Sequence, residues 1–186
     1  MKNTILILSF LLVSLTGFSQ SIFDKYEDME HVNTVNVTQK MFKMLADIET
    51  KDPDSDAFIN QAKSLKNLRV YTTSNVDVSK AMEKDIARYI ISDKLEELMR
   101  IKDEASSVKF YVIEGKDDNH VKELLMFAKG LSDKTKNSNI SVNGIPLGVE
   151  TVFLSLKGEI DLREVSKLTT RLNVPGGELL NKSTKE

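Results

Sequence analysis

No cysteine occurs in the 186 residues. Its absence excludes disulfide staples, zinc–thiolate centres and thiol nucleophiles. It also closes the lipoprotein route, which needs a cysteine at the processing site to carry the lipid. Tryptophan is absent too, and aromatics make up only 6 % of the chain, which weakens any case for carbohydrate stacking or a large aromatic hot spot. The two histidines, His31 and His120, each lack a partner at metal-ligand spacing, and no His-Glu-x-x-His run exists. No Gly-x-Ser-x-Gly elbow is present. The glycines of Gly144-Ile145-Pro146-Leu147-Gly148 are not followed by Lys and Ser/Thr, so they form no phosphate loop. A net charge of −2 gives no basic surface for nucleic acid and no polybasic membrane patch.

What is present begins with a leader. Met1-Lys2-Asn3 is a short positive start, Ile5 to Leu15 is almost purely apolar, and Gly17 and Ser19 are small residues before Gln20. This is the layout of a secretory signal peptide, and the apolar run is shorter than the roughly 20 residues a spanning helix requires. Cleavage is expected after Ser19 or after Gln20. The expected organisation is a signal peptide at 1–19, one domain at 20–177 and a tail at 178–186. The released body is expected to be soluble, without a membrane anchor, in a periplasm or outside the cell. It is long enough to bury a core without crosslinks.

Along that body, Phe23 and Tyr26 are three apart and suggest a short helix. Val32, Val35 and Val37 open a strand, and Thr38 is a candidate cap for a helix carrying Met41, Phe42, Leu45 and Ile48. After Asp52-Pro53-Asp54, a second helix would bury Phe58, Ile59, Ala62 and Leu65, and Leu68 to Thr72 reads as a strand. Asp77 or Ser79 is expected to cap a helix with Val78, Met82, Ile86, Tyr89 and Ile90 inward. Residues 94–102 fit either periodicity, and a turn of helix passing into a strand near Leu98 is the preferred reading. Val108 to Ile113, the turn Gly115 to Asn119, and Val121 to Lys129 form a hairpin. Residues 130–144 read as a loop, with a candidate short strand at Ile140 to Val142. Val149 to Lys157 is the strongest strand. Asp161 with Glu164 starts a last helix in capping-box fashion, carrying Val165, Leu168 and Leu172 inward, and Pro175-Gly176-Gly177 ends it. The fold class is therefore α+β: a single antiparallel or mixed sheet with helices packed on one face.

Candidate chemistry is sparse. Asp52-Pro53-Asp54-Ser55-Asp56 resembles the start of a calcium loop, but Ala57 stands where glycine is needed and Lys63 where a bidentate glutamate is needed. A turn with a helix cap is the better reading. Asp117 and Asp118 are paired carboxylates at a hairpin tip, where exposure leaves nothing to shift their pKa. His31 and His120 flank strands and fit surface or strand-edge roles. The methionines Met41, Met44, Met82, Met99 and Met126 fit core positions. No catalytic, cofactor-binding or metal-ligating residue is assigned, and no cofactor is expected.

Several segments taken together resemble the domain of unknown function 4252 family of exported proteins, common in Bacteroidetes. They are Phe23-Asp24-Lys25-Tyr26, Val37-Thr38-Gln39-Lys40-Met41-Phe42, the run Leu95 to Lys102, Val108 to Val112, Val121 to Met126, and Leu156 to Asp161. The resemblance implies export and brings no catalytic residues with it. The expected function is a non-catalytic envelope protein that acts by binding a protein or another envelope component, of unknown identity. Two alternatives stand beside it. One is an accessory partner in envelope stress signalling through sigma and anti-sigma factors; the other is a hydrolase whose site assembles in space.

Overall fold

The structure, a computed structural model, describes residues 22–47, 59, 61–132, 141–142, 145–146 and 148–165. The leader, the 52–56 acidic run, the closing helix beyond Val165 and the tail lie outside these residues. A 3₁₀ turn at Asp24–Tyr26 opens the described chain. Strand β1 (Asn33–Thr38) runs directly into helix α1 (Gln39–Ala46), and helical residues at 59 and 61–64 lead into β2 (Leu65–Thr73). Helix α2 (Val76–Ser92) is followed by β3 (Glu96–Lys102), β4 (Ser107–Glu114) and β5 (His120–Lys129). A two-stranded ribbon pairs β6 (Ser141–Val142) with β7 (Ile145–Pro146), and β8 (Thr151–Asp161) completes the large sheet.

That sheet has six strands in the order β1-β2-β8-β5-β4-β3, every neighbour antiparallel. The fold is α+β. Its long central strands, β5 and β8, bury side chains on both faces. Tyr71, Leu125, Phe127 and Phe153 meet Met82, Ile86 and Tyr89 of α2 on one face. On the other, Leu124, Val121 and Ile160 meet Phe42 and Ala46 of α1 and Ala62. Among the described residues the helices are thus divided between the faces, α2 on the first and α1 on the second, and not packed on one face as the sequence suggests, because β5 buries apolar side chains on both. Each large apolar side chain so buried contributes about 2 kcal/mol.

Sequence spacing explains most of this and misplaces two details. Met82, Ile86 and Tyr89 are buried on α2 as their spacing requires. Its cap, however, is Asn75, whose Oδ1 accepts from Asp77 N at 2.9 Å and Val78 N at 3.1 Å. Ser79 instead turns inward to bond Thr151 Oγ1 at 2.6 Å. Residues 96–102 are strand throughout, with no helical turn, because the segment pairs with β4 from Glu96 opposite Val112 to Lys102 opposite Ser107. Leu95, buried just before it, and Lys94 at φ 55° end α2 and turn the chain into the sheet.

The Phe23-Asp24-Lys25-Tyr26 segment docks onto the first face through every residue. Phe23 stacks on Phe153 at 4.3 Å between ring centroids and meets Tyr89 edge-on at 5.0 Å. Tyr26 donates to Asp85 Oδ2 at 2.5 Å, Lys25 pairs with the same carboxylate, and Asp24 pairs with Arg69 at 2.7 Å.

Candidate functional site

Four of the five pairings in the large sheet slip register toward one end, at Leu65/Asn67, Glu97/Met99, Ile113/Glu114 and Val121/Glu123. Bulges bend strands and re-aim side chains. Here they send Val121 and Leu124 to the second face and Glu123 to the first. They also gather the polar ends of β2, β5 and β8 around the β4–β5 turn. The turn is held by its own bonds: Gly115 N donates to His120 O at 2.8 Å, His120 N to Asp117 O at 3.0 Å, and Asn119 N to the Asp117 side-chain Oδ1 at 3.0 Å. A Cβ at Gly115 would lie 2.3 Å from His120 O, so only glycine fits.

His120 is the centre of this end. Its Nδ1 lies 2.6 Å from Asp117 Oδ1 and its Nε2 lies 3.8 Å from Asp161 Oδ2. With a carboxylate on Nδ1, that nitrogen carries the proton. Asp161 is gripped by Arg163 through Nη2 at 2.6 Å and Nε at 3.0 Å. Its backbone N–H donates to Gln61 Oε1 at 3.2 Å, and its Oδ1 accepts from Arg163 N at 2.9 Å, the cap that the Asp161…Glu164 pattern announces. Gln61 Nε2 and Ser64 Oγ both donate to Glu159 O, at 2.9 and 2.6 Å. Three adjoining hollows, about 470, 350 and 180 Å³, share Lys116 and His120. Glu96, Glu97 and Glu114 line the first, and Gln61, Ser64 and Glu159 the second.

Three of these carboxyls, Asp117, Asp161 and Glu97, are drawn below their ordinary range by their partners. The hydrogen bond from His120 draws the Asp117 carboxyl below its ordinary range, and the Arg163 guanidinium does the same for Asp161. Arg100, 2.6 Å from Glu97, lowers that carboxyl too. A general acid or base works best with its pKa near the working pH. These groups are fixed hydrogen-bond acceptors of negative charge.

Asp117 is half exposed at the hairpin tip, as the sequence suggests, but it is paired with His120, whose side chain is only 19 % exposed. Asp118 lines the first of these three hollows. His31 is not brought to this end. It sits at φ 65° before β1, where its carbonyl accepts from Thr73 Oγ1 at 2.7 Å, a turn role. Lys63 is helical, the remaining calcium-like positions fall outside the described residues, and among the described residues no group of three or more acidic or histidine side chains converges on a metal position.

Spacing did not single out a second polar group, sealed under α2. Glu123 is 2 % exposed and accepts from Tyr89 Oη at 2.7 Å and Ser155 Oγ at 2.6 Å, with Lys157 Nζ 3.3 Å away. Lys157 also donates to Tyr89 Oη at 2.7 Å, and burial together with Glu123 raises that phenol far above its usual range. Every polar atom of this quartet that is named has a partner, which marks a structural network.

Sheet, helices and bulged polar end together define a small α+β domain with acid-lined hollows around His120. The chain belongs to the family described as domain of unknown function (DUF4252), which matches residues 26–168. Neither the curated proteins nor the solved structures return a match.

Proposed function

We propose that this chain is exported and acts without catalysis, by binding a partner in the cell envelope that presents amino or guanidinium groups to the hollows around His120. The observation that carries the reading is the ionised, hydrogen-bonded state of Asp117 and Asp161 beside Glu159 and Glu114 on a bulged, rigidly tied sheet end. Such carboxylates recognise donors by charge-assisted hydrogen bonds. The leader pattern of residues 1–20 supports export.

The test is capture from detergent-free envelope fractions by the immobilised chain and by an Asp117→Asn/Asp161→Asn variant. The variant is expected to lose the partner, and bound material is expected to elute with rising salt, because exposed charge contacts are screened. Equal capture by both forms contradicts the reading. Mass analysis of chain recovered from the envelope is expected to show a new N-terminus at Gln20 or Ser21.

A hydrolase is the second reading, supported by the 2.6 Å contact between Asp117 Oδ1 and His120 Nδ1, the geometry an orienting carboxylate has toward a triad histidine. Ser64 lines a hollow with His120, yet the one proton of its hydroxyl is already taken by a carbonyl, with Glu159 O at 2.6 Å and Gln61 O at 2.7 Å both in reach. Turnover of an ester or peptide substrate that His120→Ala abolishes would favour this reading over binding.

A further inference from the structure

We infer that β1 pairs antiparallel with β1 of a second copy of this chain, joining two sheets edge to edge. The two edges of the large sheet differ. Edge strand β3 is guarded by a register slip at Leu98 and by Glu96, Glu97, Arg100 and Lys102, the devices that keep edges from pairing. Edge strand β1 has none of them. Asn33-Thr34-Val35-Asn36-Val37-Thr38 contains no charge and no proline, and its ladder with β2 is unbroken over all six residues. Among the described residues no strand pairs on its outer side, and Val35 is 55 % exposed.

The occupant follows from self-complementarity. A twofold axis normal to the sheet relates two antiparallel copies only in registers that keep each face continuous. Centred on Asn36, such a register sets Val35 opposite the second copy's Val37 on the face where Val35 and Val37 pair with Val70 and Leu68. It sets Thr34 opposite Thr38 on the other face. Pairs of β-branched side chains and of threonines are favourable cross-strand neighbours. The flanks agree in charge. Exposed Asp28 and Glu30 precede β1, and exposed Lys40 and Lys43 follow it on α1. Antiparallel pairing brings the acidic flank of each copy toward the basic flank of the other.

The experiment uses sedimentation equilibrium on the chain expressed with its leader and purified as the host leaves it. A dimer is expected at about 100 µM loading. Asp28→Lys/Glu30→Lys and Lys40→Glu/Lys43→Glu are each expected to weaken it at least about tenfold by like-charge contact, and an equimolar mixture of the two variants is expected to restore it. Val35→Lys, a guard of the natural kind, is expected to give a monomer with unchanged circular dichroism. Should that variant fail to fold, the charge-exchange pair still decides, since its four sites are exposed. A wild type that stays monomeric, or a dimer indifferent to the charge exchanges, overturns the inference. So does protection of β1 amides that arises only on adding envelope extract, which would assign the edge to another protein.

Discussion

Two buried carboxylates carry most of the risk at single positions. Removing Glu123 takes the acceptor from the buried Tyr89 and Ser155 hydroxyls and the counter-charge from half-exposed Lys157, so Glu123→Ala is expected to cost about 2–4 kcal/mol in urea unfolding. A loss under about 1 kcal/mol would mean that water replaces the carboxylate. Asp85 is only 5 % exposed, and burial by itself would raise its carboxyl. Hydrogen bonds from Lys25 and Tyr26 and the nearby Arg88 outweigh that, and the net shift is downward from 3.8. A depressed carboxylate contributes stability that is complete above its unfolded value and fades as pH falls through its folded one. The stability gap between wild type and Asp85→Asn is therefore expected to be level at neutral pH and to shrink below about pH 4. A gap that shrinks as pH rises contradicts the assignment. Asp85 lies on the buried stripe, three residues after Met82 and four before Tyr89, but its charge keeps it out of the apolar pattern read from the sequence. The Glu123 position is not legible in the sequence either, because a register slip beside it breaks strand alternation. The meeting of His120 with Asp161 is also hidden, since it depends on how β5 pairs with β8.

Among the elements, α2 shows why caps are hard to read. Thr73, Ser74, Asn75, Asp77 and Ser79 are all cap-type residues, and tertiary bonds decide among them. Thr73 is engaged with the His31 carbonyl and Ser79 with Thr151, and of the other three it is Asn75 that receives the first amides. Asn75→Ala is expected to lower stability by about 1 kcal/mol, whereas Asp77→Ala, exposed in the first turn, should lose only a few tenths, about 0.3–0.5 kcal/mol, through the helix dipole. Thermal unfolding of the two variants checks the order. Thr38 shows the opposite case: it precedes α1 as its residue type suggests, yet its side chain makes no cap bond. The 94–102 segment is ambiguous in sequence for a physical reason. Leu95, Leu98 and Met99 satisfy a helical stripe while Met99 and Ile101 satisfy alternation, and pairing with β4 settles 96–102 as strand.

For the whole molecule, the α+β class and the order of elements follow from periodicity, with the β4–β5 hairpin and the long β8 the clearest. Helices on one face is the arrangement the sequence suggests; the described helices divide between two, because β5 carries Leu125 and Phe127 on one side and Val121 and Leu124 on the other. The polar end is not legible, since it exists only because four pairings slip in the same region. That end is the centre of the functional account, and it is tested most directly by amide NMR of the isotope-labelled chain titrated with a lysine- and arginine-rich peptide. The account predicts saturable shift changes confined to Gly115–Val121 and Glu159–Arg163, lost in Asp117→Asn/Asp161→Asn. Changes centred elsewhere, or unaltered in the variant, would contradict it.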